Sequence, residues 1–226
     1  MNHVVIAVPA YSWSVRLATM RSLITDLLAL VKRGDKVSVY DESGSTYLED
    51  ARSIIVDEFL HGDGTHLVGI DDDVCWEAGA LLRLVDAPVD LVAGIYPKRK
   101  DPIEWPVKFL DGELWTNRAG LMEVEGAPTG FIRYSRACLE RMTEAYRDEL
   151  WCKSSTAPRK GFVGLYDILR LPDGGKLHDD YAFCHRWREI GGQVWIDPEM
   201  TLGQVGMKLF TGRLGDWLRE RMEQAA

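Results

Sequence analysis

Two rhythms of apolar and polar positions alternate along the first part of the chain. HVVIAV (3–8) is a continuous apolar run rich in β-branched residues, the pattern of a strand buried on both faces in a parallel sheet. Pro9-Ala10-Tyr11 ends it. Ser12 or Ser14 offers an N-cap for a helix over 15–32, where Leu17, Met20, Ile24, Leu27 and Val31 recur at helical spacing. Gly34 supplies the stop. KVSVYD (36–41) reads as a second strand, and Leu48, Ala51, Ile55 and Phe59 mark a second amphipathic helix. HLVGID (66–71) is a third strand ending in acids, followed by a short helix over 76–85 and the strand DLVAGIY (90–96). Strand and helix alternating in this way predict an α/β, Rossmann-like, mostly parallel sheet flanked by helices.

Beyond residue 96 the rhythm changes. WPVKFL, ELWT and LMEVEG are short extended pieces among Pro, Gly and Trp, which predicts a small antiparallel addition. A helix is expected over 135–148. Residues 150–177, with Pro158, Gly161, Gly164, Pro172 and Gly174-Gly175, read as an irregular mobile loop. A last α/β unit has its helix over 179–190, a Gly191-Gly192 stop and the strand QVWID (193–197). From Thr211 the tail is amphipathic, through Leu214, Trp217, Leu218 and Met222.

The 226 residues, 46% apolar and 27% charged, suit a globular domain. No apolar run reaches the 18 residues that would suggest a membrane span. The start lacks a basic region ahead of its apolar stretch, so it reads as a strand rather than a signal peptide, and a cytoplasmic protein is expected. Cys75, Cys138, Cys152 and Cys184 form no CxxC pair, which argues against a zinc site or a disulfide framework. A net charge of −8 argues against generic nucleic-acid binding, where Lys and Arg must neutralise phosphates. Lys98-Arg99-Lys100 and Arg159-Lys160 are short basic clusters, read as solvated loops.

Candidate chemistry concentrates at Asp71-Asp72-Asp73, placed at the carboxyl end of a strand, where open α/β sheets bind ligands. Residues i and i+2 of a strand share a side, so Asp71 and Asp73 converge while Asp72 turns away. Converging carboxylates call for a cation, and hard oxygen ligands suit Mg²⁺ or Mn²⁺. The competing reading, an N-cap for the following helix, needs one Asp rather than three. Asp179 and Asp180 open another helix, as caps or as a base for a hydroxyl. Thr129-Gly130-Phe131 permits close backbone approach to a ligand or makes an ordinary turn. Arg52 is either a solvated helix residue or a fork for phosphate.

In this order and spacing the segments resemble GT-A glycosyltransferases, small family-2-like members of bacteria and phages, from Val5 to about Phe210. VPAYSW, YDES with ARSIIVDEFL, HLVGIDDDVCWEAGALLRLV, VDLVAGIYPKRK, GAPTGFIRYSRACLERM and HDDYAFCHRWREIGGQVWIDPEMTLGQVG carry the resemblance. It implies one catalytic domain over 1–210, with a nucleotide-binding half (1–100) and an acceptor half (101–210), and a C-terminal helix over 211–226. It further implies a nucleotide-diphosphate sugar donor, UDP preferred, held by Pro9, Ala10, Tyr11, Asp41, Glu42, Arg52, Asp71, Asp72, Thr129 and Gly130. Asp71, Asp73 and Gln204 would hold Mn²⁺ or Mg²⁺; Asp180, beside Asp179, would be the base in an inverting transfer. Ser53 stands where Asn is usual, Asp179 where Glu is, and Gln204 where His is. The acceptor stays open between a glycan, a protein, a lipid carrier and a modified phage DNA base. A sugar nucleotidyltransferase is a rival, though VPAYSWSVR lacks the glycine-rich first turn of that class; a degenerate nucleotide-sugar binder is another.

Overall fold

A computed structural model describes residues 2–155 and 157–225. Met1, Thr156 and Ala226, which fall within the expected spans 1–210, 150–177 and 211–226, lie outside the described residues. The chain runs β1 (His3–Ala10), α1 (Leu17–Arg33), β2 (Lys36–Ser43), α2 (Leu48–His61), β3 (His66–Ile70), β4 (Val74–Trp76), α3 (Ala80–Asp86) and β5 (Leu91–Gly94). Then follow β6 (Lys108–Phe109), β7 (Met122–Gly126), β8 (Phe131–Ser135), α4 (Arg136–Tyr146), β9 (Trp151–Lys153), β10 (Gly161–Val163), β11 (Leu169–Arg170) and β12 (Lys176–Leu177). The last elements are α5 (Asp179–Glu189), β13 (Val194–Asp197), β14 (Thr201–Val205), β15 (Leu209–Arg213) and α6 (Leu214–Ala225).

Eight strands form one sheet in the order β2-β1-β3-β8-β5-β13-β7-β6. β1 is parallel to β2 and β3, and β5 to β13; β8 and β7 are antiparallel to their neighbours. Six strands therefore share one direction and two run against it. One face is covered by α1 and α3, whose Leu30, Leu81 and Leu84 pack with Val4, Ile6, Val68 and Val92. The other carries α2, α4 and α5, whose Phe59, Leu139, Phe183 and Trp187 pack with Leu67, Leu91, Ile132 and Ile196. A second sheet, β15-β14-β4, stands at the carboxyl end of β3.

Four local expectations change. The central strand β8 falls between the turn read at Thr129-Gly130-Phe131 and the helix expected over 135–148, where no strand was expected. Its Arg133 is 1% exposed, and the guanidinium donates to the carbonyls of Leu84, Ala87 and Val89 where α3 ends. A buried cation satisfied by carbonyls is invisible to apolar patterning. The face of α1 marked by Leu17, Met20, Ile24 and Val31 points outward; Thr19, Asp26 and Leu30 point in. Neither Ser12 nor Ser14 caps that helix, since their hydroxyls bond each other and the N-cap is Arg16. The described residues of 150–177 are packed rather than loose: they form two hairpins, β9–β10 and β11–β12, with Phe162, Leu165 and Tyr166 in the core. The scattered spacing of those three side chains gives no period to read.

Candidate functional site

The carboxyl ends of β1, β2 and β3 open onto a cavity of about 280 Å³ lined by Pro9, Ala10, Tyr11, Glu42, Asp71, Asp72, Asp73, Arg99 and Gln204, among others. Pro9 and Ala10 end β1, Glu42 is near the end of β2, and the three aspartates follow β3. The aspartates do not cap a helix. They form a turn, with Val74 N–H donating to Asp71 O at 3.2 Å, ahead of β4. The next helix, α3, is capped from afar by Asp26 of α1, which accepts from the backbone N–H of Gly79 and Leu81. Because 71–73 is a turn rather than a strand, alternation lapses and Asp72 lines the same cavity as its neighbours. Its carbonyl also receives the Arg16 N–H at 2.8 Å, which ties the start of α1 to this turn.

Each aspartate has a distinct environment. Asp73 is 8% exposed. One oxygen takes Arg99 Nη1 at 2.8 Å and the other takes the Gln204 amide at 3.4 Å. Gln204 is brought there by the pairing of β14 with β4, in which it opposes Val74. Burial raises the Asp73 pKa, offset by Arg99 and by the Gln204 hydrogen bond. Burial raises the Asp72 pKa too, with repulsion from Asp73 and Asp71 adding to it. Asp71 Oδ1 accepts from Arg52 Nη2 at 2.9 Å, and its backbone N–H donates to Gly130 O at 2.9 Å.

Arg52 joins the two acidic motifs. Its side chain is 7% exposed, so it is neither solvated nor aimed at the open cavity. Nη1 donates to Asp180 Oδ1 at 2.8 Å and to Asp179 Oδ2, while Nη2 reaches Asp71. Burial opposes the charge, but three carboxylates raise the Arg52 pKa well above its usual value. Asp180 also accepts from the Thr129 hydroxyl. Its pKa rises to about 6, from burial first and then repulsion by Asp179, with Arg52 and Thr129 pulling the other way. Asp179 and Asp180 keep 24% and 26% of their side-chain surface.

Gly130 is required where it stands. An added Cβ would lie 2.7 Å from Asp71 Cγ and closer still to Asp71 Oδ2 and the Tyr96 hydroxyl, inside any ordinary contact. Tyr96 and Tyr166, which the sequence reading missed, stand against the same cluster of carboxylates and arginine. Tyr96 is buried, and its raised pKa owes most to burial and then to Asp71 and Asp180. Tyr166 lies under the Arg52 guanidinium and donates to Tyr134 Oη at 2.6 Å. Tyr96 ends DLVAGIY, so its position beyond β5 carried a signal; Tyr166, in the aperiodic stretch, carried none. Asp41 stands apart: it is exposed, accepts from the Ser43 hydroxyl and is not among the cavity residues. The basic clusters are mostly neutralised. Lys98 and Lys100 pair with Glu104, Arg99 with Asp73, and Arg159 with Asp57 and Glu58.

No family model and no curated protein matches the chain. Among solved structures, the crystal structure of A197 from STIV superposes with a TM-score of 0.56 at 19% identity, covering 93% of each chain. The crystal structure of GalNAc-T7 with UDP, GalNAc and Mn²⁺ gives a TM-score of 0.53 at 12% identity over 91% of this chain. The chain has a GT-A glycosyltransferase fold. It spans about 44% of the GalNAc-T7 chain. Within the GT-A fold, the Asp71–Asp73 turn occupies the carboxyl end of the parallel strands, where ligands of such sheets bind.

A hard divalent ion suits this donor set. Asp71 and Asp73 face one cavity, and Asp72 and Asp73 carry raised pKa values beside one another. Mg²⁺ and Mn²⁺ sites commonly use one or two carboxylates and leave other positions to water and phosphate. Among the described residues no cluster of three or more His, Cys, Asp or Glu forms a ready metal cage, so protein ligands alone would be few. No described helix is long and apolar enough to cross a membrane.

Proposed function

We propose that the protein is a glycosyltransferase that takes a sugar from a nucleotide-diphosphate donor, UDP preferred, and passes it to an acceptor hydroxyl. The observation that carries this reading is the joining of two acidic motifs through one buried arginine, beside an open cavity in a GT-A fold. The donor base packs against Pro9 and Tyr11, and Glu42, which lines the cavity where Asp41 does not, takes the ribose or base. Asp73 and Asp71 would hold Mn²⁺ or Mg²⁺, with the Gln204 amide turned to offer its carbonyl oxygen. When bound, the ion neutralises charge growing on the diphosphate. That GalNAc-T7 was crystallised with UDP and Mn²⁺ supports this choice of ligands.

Asp180 accepts the proton of the acceptor hydroxyl. An upward-shifted pKa makes a carboxylate a stronger base while leaving it ionised at neutral pH. Arg52 and Thr129 fix its orientation. The acceptor oxygen forms a bond to the anomeric carbon as the bond to the diphosphate breaks, and attack opposite the leaving group inverts the anomeric centre. Arg99, half exposed on Asp73, supplies positive charge at the same place.

One observation favours a second reading. Arg99 already neutralises Asp73, and Gln204 directs its amide at the same carboxylate, as a nucleotide-sugar binder without turnover would allow. The test is release of nucleoside diphosphate from a panel of donor sugars with Mn²⁺, comparing the native protein with Asp73→Asn and Asp180→Asn. Release lost in both variants supports transfer. Binding of the donor with no release under any condition supports the second reading.

A further inference from the structure

We propose that the outward face of α1 docks the protein on an anionic lipid bilayer. Leu17, Met20, Ile24, Leu28 and Val31 are all exposed, Leu17 and Leu28 by 63% and 61%. Their spacing places them on one stripe of the helix. Five large apolar side chains together exceed what a scattered surface hydrophobe explains, and contiguous patches of this kind mark protein or membrane contacts. Trp13 and Tyr11, exposed by 77% and 68%, stand in the turn before the helix, the side-chain types that favour a membrane–water interface. Val39 of the edge strand β2 is exposed as well. Two residues from Val37, which packs on the core under α1, it lies on that same sheet face.

Charge chooses the occupant. The protein is acidic overall, yet between Tyr11 and Gly34 the single acid is Asp26, which is buried and occupied with capping α3. Arg16, Arg21, Lys32 and Arg33 all lie in this segment and are exposed. Arg33 is held by Asp35 and Asp86, and the charge of Arg16 acts on Asp72 and Asp73; Arg21 and Lys32 make no ion pair among the described residues. On the helical wheel Arg21 and Lys32 flank one side of the apolar stripe. A second copy packed antiparallel on this face would oppose Arg16 and Arg21 to Lys32 and Arg33, with no exposed acid of the helix to answer them. An apolar stripe edged by cations instead matches lipid tails beneath anionic headgroups. The Arg16 N–H on Asp72 O and Tyr11 in the cavity wall set the docked helix beside the mouth of the site. Docking stands whether or not the transferase reading does.

Flotation of the full chain with vesicles of phosphatidylglycerol and phosphatidylcholine in equal parts, against phosphatidylcholine alone, tests this. The proposal expects recovery with anionic vesicles at least tenfold above neutral ones, falling in high salt. Ile24→Asp with Leu28→Asp, and separately Arg21→Glu with Lys32→Glu, should each cut it by tenfold or more at unchanged melting temperature. Equal recovery on both vesicle types, or undiminished recovery in the folded variants, overturns it. So does a solution dimer that Ile24→Asp with Leu28→Asp dissociates, which would assign the face to a second copy.

Discussion

Gly130→Ala is the perturbation with the most specific expected consequence. The new methyl group would sit 2.7 Å from Asp71 Cγ, whereas ordinary contact begins near 3.4 Å. The carboxylate or the strand must therefore yield by at least about 0.7 Å, and the Tyr96 hydroxyl must yield too. Overpacking of this kind costs about 1–3 kcal/mol. Asp71 cannot move freely, because Arg52 holds its oxygen and Gly130 O holds its backbone. A displacement approaching 1 Å at a reacting centre lowers the rate by roughly 100-fold. Gly94→Ala is the control. Its Cβ would press on Phe131, Leu202 and Met200 in the core, with similar strain but no carboxylate involved. Melting temperature and nucleoside-diphosphate release, measured on both variants, separate the two effects. A melting loss of several degrees in both, with turnover collapsing only in Gly130→Ala, is the expected pattern. Full turnover in Gly130→Ala at native stability would refute the placement of Asp71 against that glycine.

Three further outcomes follow from the same geometry. Asp180, with its folded pKa raised to about 6, binds a proton more readily folded than unfolded, so stability through this group is greatest at low pH and is lost as pH rises between about 4 and 6. Asp180→Asn should remove that loss, leaving the protein as stable or up to about 2 kcal/mol more stable at pH 7.5 after discounting for its partial exposure. Turnover should fall by 100-fold or more; denaturant melts across pH 4–8 and rate assays check both. Arg52→Met would strand three carboxylates without their common cation and should cost about 3–5 kcal/mol, seen as a drop of roughly 10 °C in melting temperature. Arg99→Gln removes a half-exposed competitor for Asp73 and should strengthen Mn²⁺ binding without donor by up to about fivefold, read by calorimetric titration.

The parallel half of the fold was legible because β1, β3 and β5 are unbroken apolar runs and α2 keeps Ala51, Ile55 and Phe59 on its inner face. The position of three aspartates just after a buried strand was legible, whereas the turn that brings Asp72 to the same cavity as Asp71 and Asp73 was not. What misled was polarity in the interior and apolarity outside. Arg133 hides β8, the strand between β3 and β5, because carbonyls at the end of α3 satisfy it. α1 presents to solvent the stripe that a soluble helix normally buries, and buries Asp26 for its long-range caps. Arg52 was read as a surface residue or a phosphate fork. Its three carboxylate partners lie 19, 127 and 128 positions away, and no local pattern encodes a contact at that separation.

A nucleotide-diphosphate site built on Asp71 and Asp73 would couple donor binding to the stability of the folded chain. The most direct measurement is a thermal-shift panel of UDP, GDP, CDP and their sugars, each with Mn²⁺, Mg²⁺ or EDTA, on the native protein and on Asp73→Asn. A ligand that binds only the folded state at 100 times its dissociation constant adds about 2.7 kcal/mol, which is several degrees in a chain of this size. Such a rise is expected with one nucleotide family, dependent on metal and absent in Asp73→Asn. A native protein whose melting temperature none of these ligands moves, with metal or without, would contradict it.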